Sequence, residues 1–156
     1  MAIRVVRLGS PRQPGEGLRI GTVRRPPRGV PKAQYAAQDW YDVWFPTLAP
    51  SADLVRFAQG AVSDPAWAEF ARRYRAEMAA PACRDALQLL AALSRESDFS
   101  VGCYCQDEAR CHRSLLRQLL ADGEIDIAFS LTPNDASAEI ERGNLRDTVR
   151  TYTLTG

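Results

Sequence analysis

The sequence predicts an α/β fold, a single layered domain whose central sheet, mostly parallel or mixed, is flanked by helices. Three observations carry that expectation. Short β-branched or apolar runs bounded by turn residues occur near Ile3, Leu18 and Phe99. Between and after them come stretches with helical spacing of apolar residues, several opened by a serine or aspartate suited to capping. No internal repeat and no linker long enough to divide the 156 residues interrupts the pattern. A chain of this length buries roughly 70% of its unfolded surface, enough for a core without disulfide or metal support.

Ile3 to Leu8 reads as a strand, the turn-rich Gly9 to Gly17 follows, and Leu18 to Val23 reads as a second strand that pairs with the first as a hairpin or lies close to it. Arg24 to Lys32 cannot be helix or central strand, because its three prolines remove donors and fix the backbone. It is a stiff loop with four cations in nine residues. Ala33 to Pro50 shows no dominant period, with a short strand over Tyr41 to Phe45. Ser51 caps a helix through Leu54, Val55 and Ala58 that closes near Gly60.

Ser63-Asp64-Pro65 opens a further helix whose Trp67, Phe70, Ala71, Tyr74 and Met78 recur at helical spacing up to Pro81. On it, Arg73 and Glu77 are four apart, which a surface ion pair explains. Trp40 and Trp67 read as core. Ala82 to about Arg95 forms the next helix and buries Cys83, Leu87 and Leu90 on its apolar face. Phe99 to Cys105 reads as a central strand that runs straight into a helix capped by Asp107, carrying Leu115, Leu116, Leu119 and Leu120, and ended by Gly123. Ile125 to Leu131 reads as another strand, Asp135 to Arg150 as weakly helical, and Thr151 to Thr155 as an edge strand or a tail.

Twenty Lys and Arg against nineteen Asp and Glu give a net charge of +1, so no global field draws the chain to nucleic acid or membrane, and any attraction must be local. Met1 to Arg7 has arginines and no apolar run, and nowhere do about 18 apolar residues follow one another, which points to a cytoplasmic protein without a membrane span. In a reducing compartment the four cysteines are thiols or metal ligands rather than disulfides. Three of them, Cys103, Cys105 and Cys111, fall within nine residues.

Those cysteines adjoin His112, the only histidine, and Arg113. A strand that stops where a helix starts leaves backbone N–H groups unpaired at the carboxyl edge of a sheet, where anions bind and thiol pKa values fall. Three functional readings follow. Cys105 is a thiolate nucleophile or redox centre with His112 as the catalytic partner. Alternatively Cys103, Cys105, Cys111 and His112 bind zinc, although adjacent residues on a helix point about 100° apart and a Cys-x-Cys pair on a flat strand is a tight fit for one ion. In the third, His112 and Arg113 join Arg24, Arg28 and Lys32 of the basic loop to bind an anionic ligand, phosphate-bearing or nucleotide-like, while the cysteines pack. The bland counterpart makes the thiols small core hydrophobes and His112 a hydrogen-bonder at the helix start. The anionic ligand is the preferred reading, with no cofactor required and zinc as the alternative. Aromatics interleaved with arginines also fit stacked bases, so a nucleic-acid partner is the weaker variant of the same idea.

Gly17-Leu-Arg19, the Arg24 to Lys32 loop around Pro27-Arg28-Gly29, Asp39-Trp40, Pro50-Ser51 with Leu54, Phe70 with Arg73-Tyr74 and Glu77, and Cys105 to Leu120 with His112 together resemble the YeaO-like family, domain of unknown function 488. The resemblance spans about residues 3 to 122 and leaves 123 to 156 as a C-terminal extension. It implies no established reaction, so neither an enzyme nor a binding module follows from it. Short members of that family carry an acidic residue and a tryptophan where this chain has Val23 and Pro26, and they keep the histidine without the cysteines. The resemblance therefore implies that the cysteines mark a subgroup with its own chemistry.

Overall fold

The computed structural model of the chain describes residues 3–122. The readings placed on Ile125 to Leu131, Asp135 to Arg150 and Thr151 to Thr155 lie outside the described residues. Four strands, β1 (Ile3–Arg7), β2 (Leu18–Gly21), β3 (Val43–Trp44) and β4 (Phe99–Cys103), form one sheet in the order β1-β4-β2-β3, and every pairing is parallel. The helices are α1 (Ala52–Gly60), α2 (Asp64–Met78), α3 (Pro81–Leu93) and α4 (His112–Asp122), with short 3-10 turns at Lys32–Gln34 and Pro46–Leu48. The α/β class predicted from the sequence is the class observed, and the sheet is wholly parallel.

β1 and β2 do not form a hairpin. The last strand in sequence, β4, lies between them and pairs Val101 with Val5 on one side and with Ile20 on the other. All five residues of β4 are buried, as a strand hydrogen-bonded on both sides and covered on both faces must be. The ten-residue turn between β1 and β2 is long enough to pass over β4, so the two strands run in the same direction.

The caps read from the sequence are present. Ser51 Oγ accepts from Leu54 N at 3.2 Å and Ser63 Oγ from Ala66 N at 3.3 Å, satisfying donors that the first helical turn leaves unpaired. One face of the sheet presents Ile3, Val5, Phe99 and Val101 to Leu54, Phe70, Tyr74, Leu90, Leu115, Leu116 and Leu120 from the helices. Trp67 packs on this core only partly buried, and Cys83 is half-buried with its thiol donating to Thr47 O at 3.3 Å. The expected Arg73–Glu77 ion pair is absent among the described residues. Glu77 instead accepts from Ser51 N at 2.8 Å, and Arg73 lies over the Phe57 ring at 5.1 Å, because both side chains find partners on α1 and its approach.

The opposite face carries a charged core. Arg19 is fully buried and Glu16 is 2% exposed, and they meet through Nε–Oε1 at 2.6 Å and Nη2–Oε2 at 2.8 Å. The remaining guanidinium hydrogens reach Ser10 O and Asp39 O, while Ser100 Oγ and Gln13 N donate to Glu16. Gly17, at φ +72°, keeps this turn against the sheet, since a Cβ there would sit 1.9 Å from Asp98 O.

Burial alone would raise the Glu16 carboxyl, but hydrogen bonds from Arg19, Ser100 and Gln13 outweigh it and leave its pKa below the ordinary value. A depressed carboxylate contributes stability that is complete above the unfolded-state pKa and is lost as pH falls through the folded one. Denaturant midpoints are therefore expected to drop on acidification below about pH 4.5 in the native chain and much less in Glu16→Gln. Glu16→Ala, which leaves the Arg19 charge buried and unpaired, is expected to cost about 3–5 kcal/mol in equilibrium unfolding.

Candidate functional site

Parallel pairing brings the carboxyl ends of β2 and β4 side by side, with Gly21 opposite Gly102. Beyond that register Thr22 N donates to Gly102 O at 3.0 Å and Leu8 N to Cys103 O at 2.9 Å, so the chain ends of three strands are tied together. A second buried cluster forms there from Leu8, Val23, Tyr41, Cys103 and Cys111, with Tyr35, Trp40 and Tyr104 packed against it. In open parallel sheets this carboxyl edge is where ligands are held.

The local path differs from the strand-into-helix reading. β4 ends at Cys103, residues 104–111 form a loop, and the helix begins at His112 rather than near Asp107. Asp107 caps a turn instead, its Oδ1 accepting from Ala109 N at 2.9 Å, and Cys111 N donates to Glu108 O at 3.1 Å. Short polar side chains of this kind satisfy their own backbone and so delay the helix. Cys111 consequently lies outside α4. The 100° separation expected of neighbours on a helix does not apply to it.

The four residues converge. Cys103 Sγ is 3.7 Å from Cys105 Sγ, and Cys111 Sγ is 3.8 Å from His112 Nδ1. The ligand atoms of Cys103, Cys111 and His112 all lie within 4.8 Å of one another, and all three residues are buried, whereas Cys105 is exposed at the mouth. His112 Nε2 stands 2.8 Å from Thr22 O. A carbonyl only accepts, so Nε2 carries the proton and the bare Nδ1 lone pair faces the sulfurs. The ring also packs 5.6 Å from that of Tyr74, itself fixed by its hydroxyl donating to Leu48 O at 2.8 Å.

The electrostatics follow from burial. Desolvation pushes the His112 pKa down to about 4, keeping the ring neutral. Hydrogen bonding among the sulfurs, with the nearby Arg113 charge, holds the Cys105 thiol pKa well below its ordinary value, while the same contacts and burial push Cys103 and Cys111 up. Arg113 is 3% exposed; its Nη2 donates to Cys105 O at 2.8 Å and its Nε has no partner. It forms no ion pair among the described residues. A buried guanidinium without a carboxylate calls for a counter-charge nearby.

The basic-loop residues have separate fates. Arg24 donates to the carbonyls of Pro46, Ala49 and Pro50 at 2.8–3.1 Å and so holds the segment before α1. Arg28 and Lys32 are exposed, as is Arg25, whose carbonyl accepts from Tyr104 Oη at 3.2 Å. Lys32 borders a cleft of about 520 Å³ lined also by Pro26, Tyr35, Tyr41, Val43 and Trp44. Sequence reasoning did not single out Thr22, Arg25 or Tyr104, which stitch the loop to the cysteine segment. Both contacts, His112 to Thr22 O and Tyr104 to Arg25 O, end on main-chain carbonyls, and no side-chain pattern reports them.

An α/β protein with a parallel sheet and a thiol–imidazole cluster at its carboxyl edge is the class these features define. The chain belongs to the DUF488 family: residues 3–124 match the model DUF488-N3a, described as the active DUF488-N3 subclade. No curated protein and no solved structure matches it. No helix among the described residues is long and apolar enough to cross a membrane.

Burial orders the four thiols by reactivity. In chelator-treated native protein, iodoacetamide labelling followed by peptide mass spectrometry is expected to modify Cys105 first and the half-buried Cys83 at least tenfold more slowly. Cys103 and Cys111 are expected to react only after denaturation. Equal labelling of all four would contradict the packed cluster.

Proposed function

We propose that this DUF488 protein binds a small anionic, phosphate-bearing ligand at the carboxyl edge of its sheet, where the basic loop meets the cysteine–histidine cluster. The observation that carries the reading is the attachment of that loop to the site. Tyr104 follows Cys103 and holds Arg25 O, while His112 holds Thr22 O, so the loop leaves β2 directly over the cluster.

Of the loop's four cations, Arg24 is committed to three carbonyls, but Arg25, Arg28 and Lys32 make no ion pair among the described residues. Prolines hold these exposed charges in place, which lowers the entropy cost of closing them on a phosphate. Beside Lys32, the cleft is lined by the half-buried Tyr35 and the exposed Trp44, aromatic surface that favours a nucleotide-like ligand over inorganic phosphate. The family description as an active subclade supports chemistry on that ligand, and Cys105 is the exposed sulfur of the cluster.

The test is calorimetric titration of the full chain with pyrophosphate and with adenosine monophosphate, at low and high salt. Binding of both is expected, with adenosine monophosphate the tighter, and added salt is expected to weaken it. Arg28→Ala combined with Lys32→Ala is expected to cut affinity at least tenfold without changing the thermal midpoint. Arg24→Ala is expected instead to cost about 1–3 kcal/mol of stability, because it strands three partly buried carbonyls. If neither probe gives heat, or the double variant binds like the parent, the reading is wrong.

A further inference from the structure

We infer that Cys103, Cys111 and His112 bind a zinc ion, with Cys105 completing a tetrahedron from the exposed side. This goes beyond the anionic-ligand reading and stands without it.

Zinc holds thiolate sulfur at about 2.3 Å and imidazole nitrogen at about 2.0–2.1 Å in tetrahedral geometry. Those bond lengths set the edges of the tetrahedron at about 3.8 Å between two sulfurs and about 3.6 Å between sulfur and nitrogen. The Cys103–Cys105 sulfurs are 3.7 Å apart, and Cys111 Sγ and His112 Nδ1 are 3.8 Å apart. These are ligand-to-ligand edges. The three buried donor atoms are within 4.8 Å of one another, close enough to share one ion after small side-chain adjustments.

A metal-binding histidine commonly donates its other ring N–H to a carboxylate or a main-chain carbonyl, which fixes the tautomer and aims the lone pair. His112 has that arrangement: Nε2–H is engaged by Thr22 O, and the Nδ1 lone pair faces the sulfurs. Among the described residues that lone pair has a hydrogen-bond contact with the Cys111 thiol, a weak donor at 3.8 Å. A buried nitrogen acceptor turned toward sulfur is poorly satisfied by a thiol and well satisfied by a soft divalent cation.

Three thiolates and a zinc ion carry one net negative charge, and Arg113, buried beside them without a carboxylate, carries one positive charge. Its main-chain N–H also points at Cys111 Sγ at 3.5 Å, the direction from which a metal-bound thiolate accepts.

The zinc is taken up as the aqueous ion, and the cysteine thiols release their protons to solvent as the Zn–S bonds form. With three of the four ligand residues buried and the fourth exposed, only the Cys105 position is open to replacement by water or an incoming ligand.

The experiment uses the full chain purified without chelator or metal affinity resin, assayed by elemental mass spectrometry and then stripped and titrated with cobalt(II). The expected results are a single zinc per chain and, with cobalt, strong visible ligand-field bands with near-ultraviolet sulfur-to-cobalt charge transfer. Cys111→Ser and Cys103→Ser are expected to lower metal retention at least tenfold, Cys83→Ser to leave it unchanged, and Cys105→Ser to keep the ion with weaker charge transfer because water can replace an exposed ligand. Should the buried-site variants fail to fold, the cobalt spectrum and a chelator competition on the unaltered chain still decide the matter. A parent chain without zinc and without a tetrahedral cobalt spectrum overturns the proposal, as does equal metal loss in Cys83→Ser. Pyrophosphate binding is measured on the same preparations, so a metal-free chain that binds pyrophosphate sinks the zinc site alone, and a zinc-loaded chain that does not bind it sinks the anion reading alone.

Discussion

The double pairing of β4 is the constraint on which the remaining architecture rests. Phe99–Cys103 pairs with β1 and with β2 at once, both in parallel, and all five of its residues are buried. From that arrangement comes the single edge at which Leu8, Thr22 and Cys103 leave the sheet together. The core face supplies cohesion through ordinary apolar burial against α1 to α4. The edge supplies a place where polar chemistry can be held without being solvated away.

Two buried arginines show how the fold treats charge. Arg19 has the Glu16 carboxylate, itself held by Ser100, and the carbonyls of Ser10 and Asp39, so its desolvation is offset by groups around it. Arg113 is nearly as buried, yet among the described residues its guanidinium donates only to the Cys105 carbonyl. The first arrangement is complete within the protein. The second needs an anionic neighbour, and the cysteine sulfurs are the groups in position to supply it.

The loop over residues 104–111 is what turns a run of cysteines into a centre. Had the helix begun at Asp107, Cys111 and His112 would have been fixed on diverging directions of one helical turn. The delay to His112 frees Cys111 to fold back to its neighbour's ring, and the Asp107 and Glu108 contacts hold the loop in that path. Above it, the proline-rich loop is fastened by Tyr104 and by the three carbonyl contacts of Arg24. Its remaining cations face outward.

The sequence by itself determined the α/β class, the caps at Ser51 and Ser63, the turn of Arg24 to Lys32, and the candidacy of Cys103, Cys105, Cys111 and His112. Each of these is a local signal: a capping hydroxyl, a proline, a hydrophobic period or a reactive side chain announces itself within a few residues. Tertiary structure decided that β4 divides β1 from β2 and that Glu16 and Arg19 form a buried pair. It also turned Glu77 to Ser51 rather than to Arg73, and it seated His112 Nε2 on the carbonyl of Thr22. These contacts join residues distant in sequence, or run through main-chain atoms common to every residue, so only the folded register brings them together.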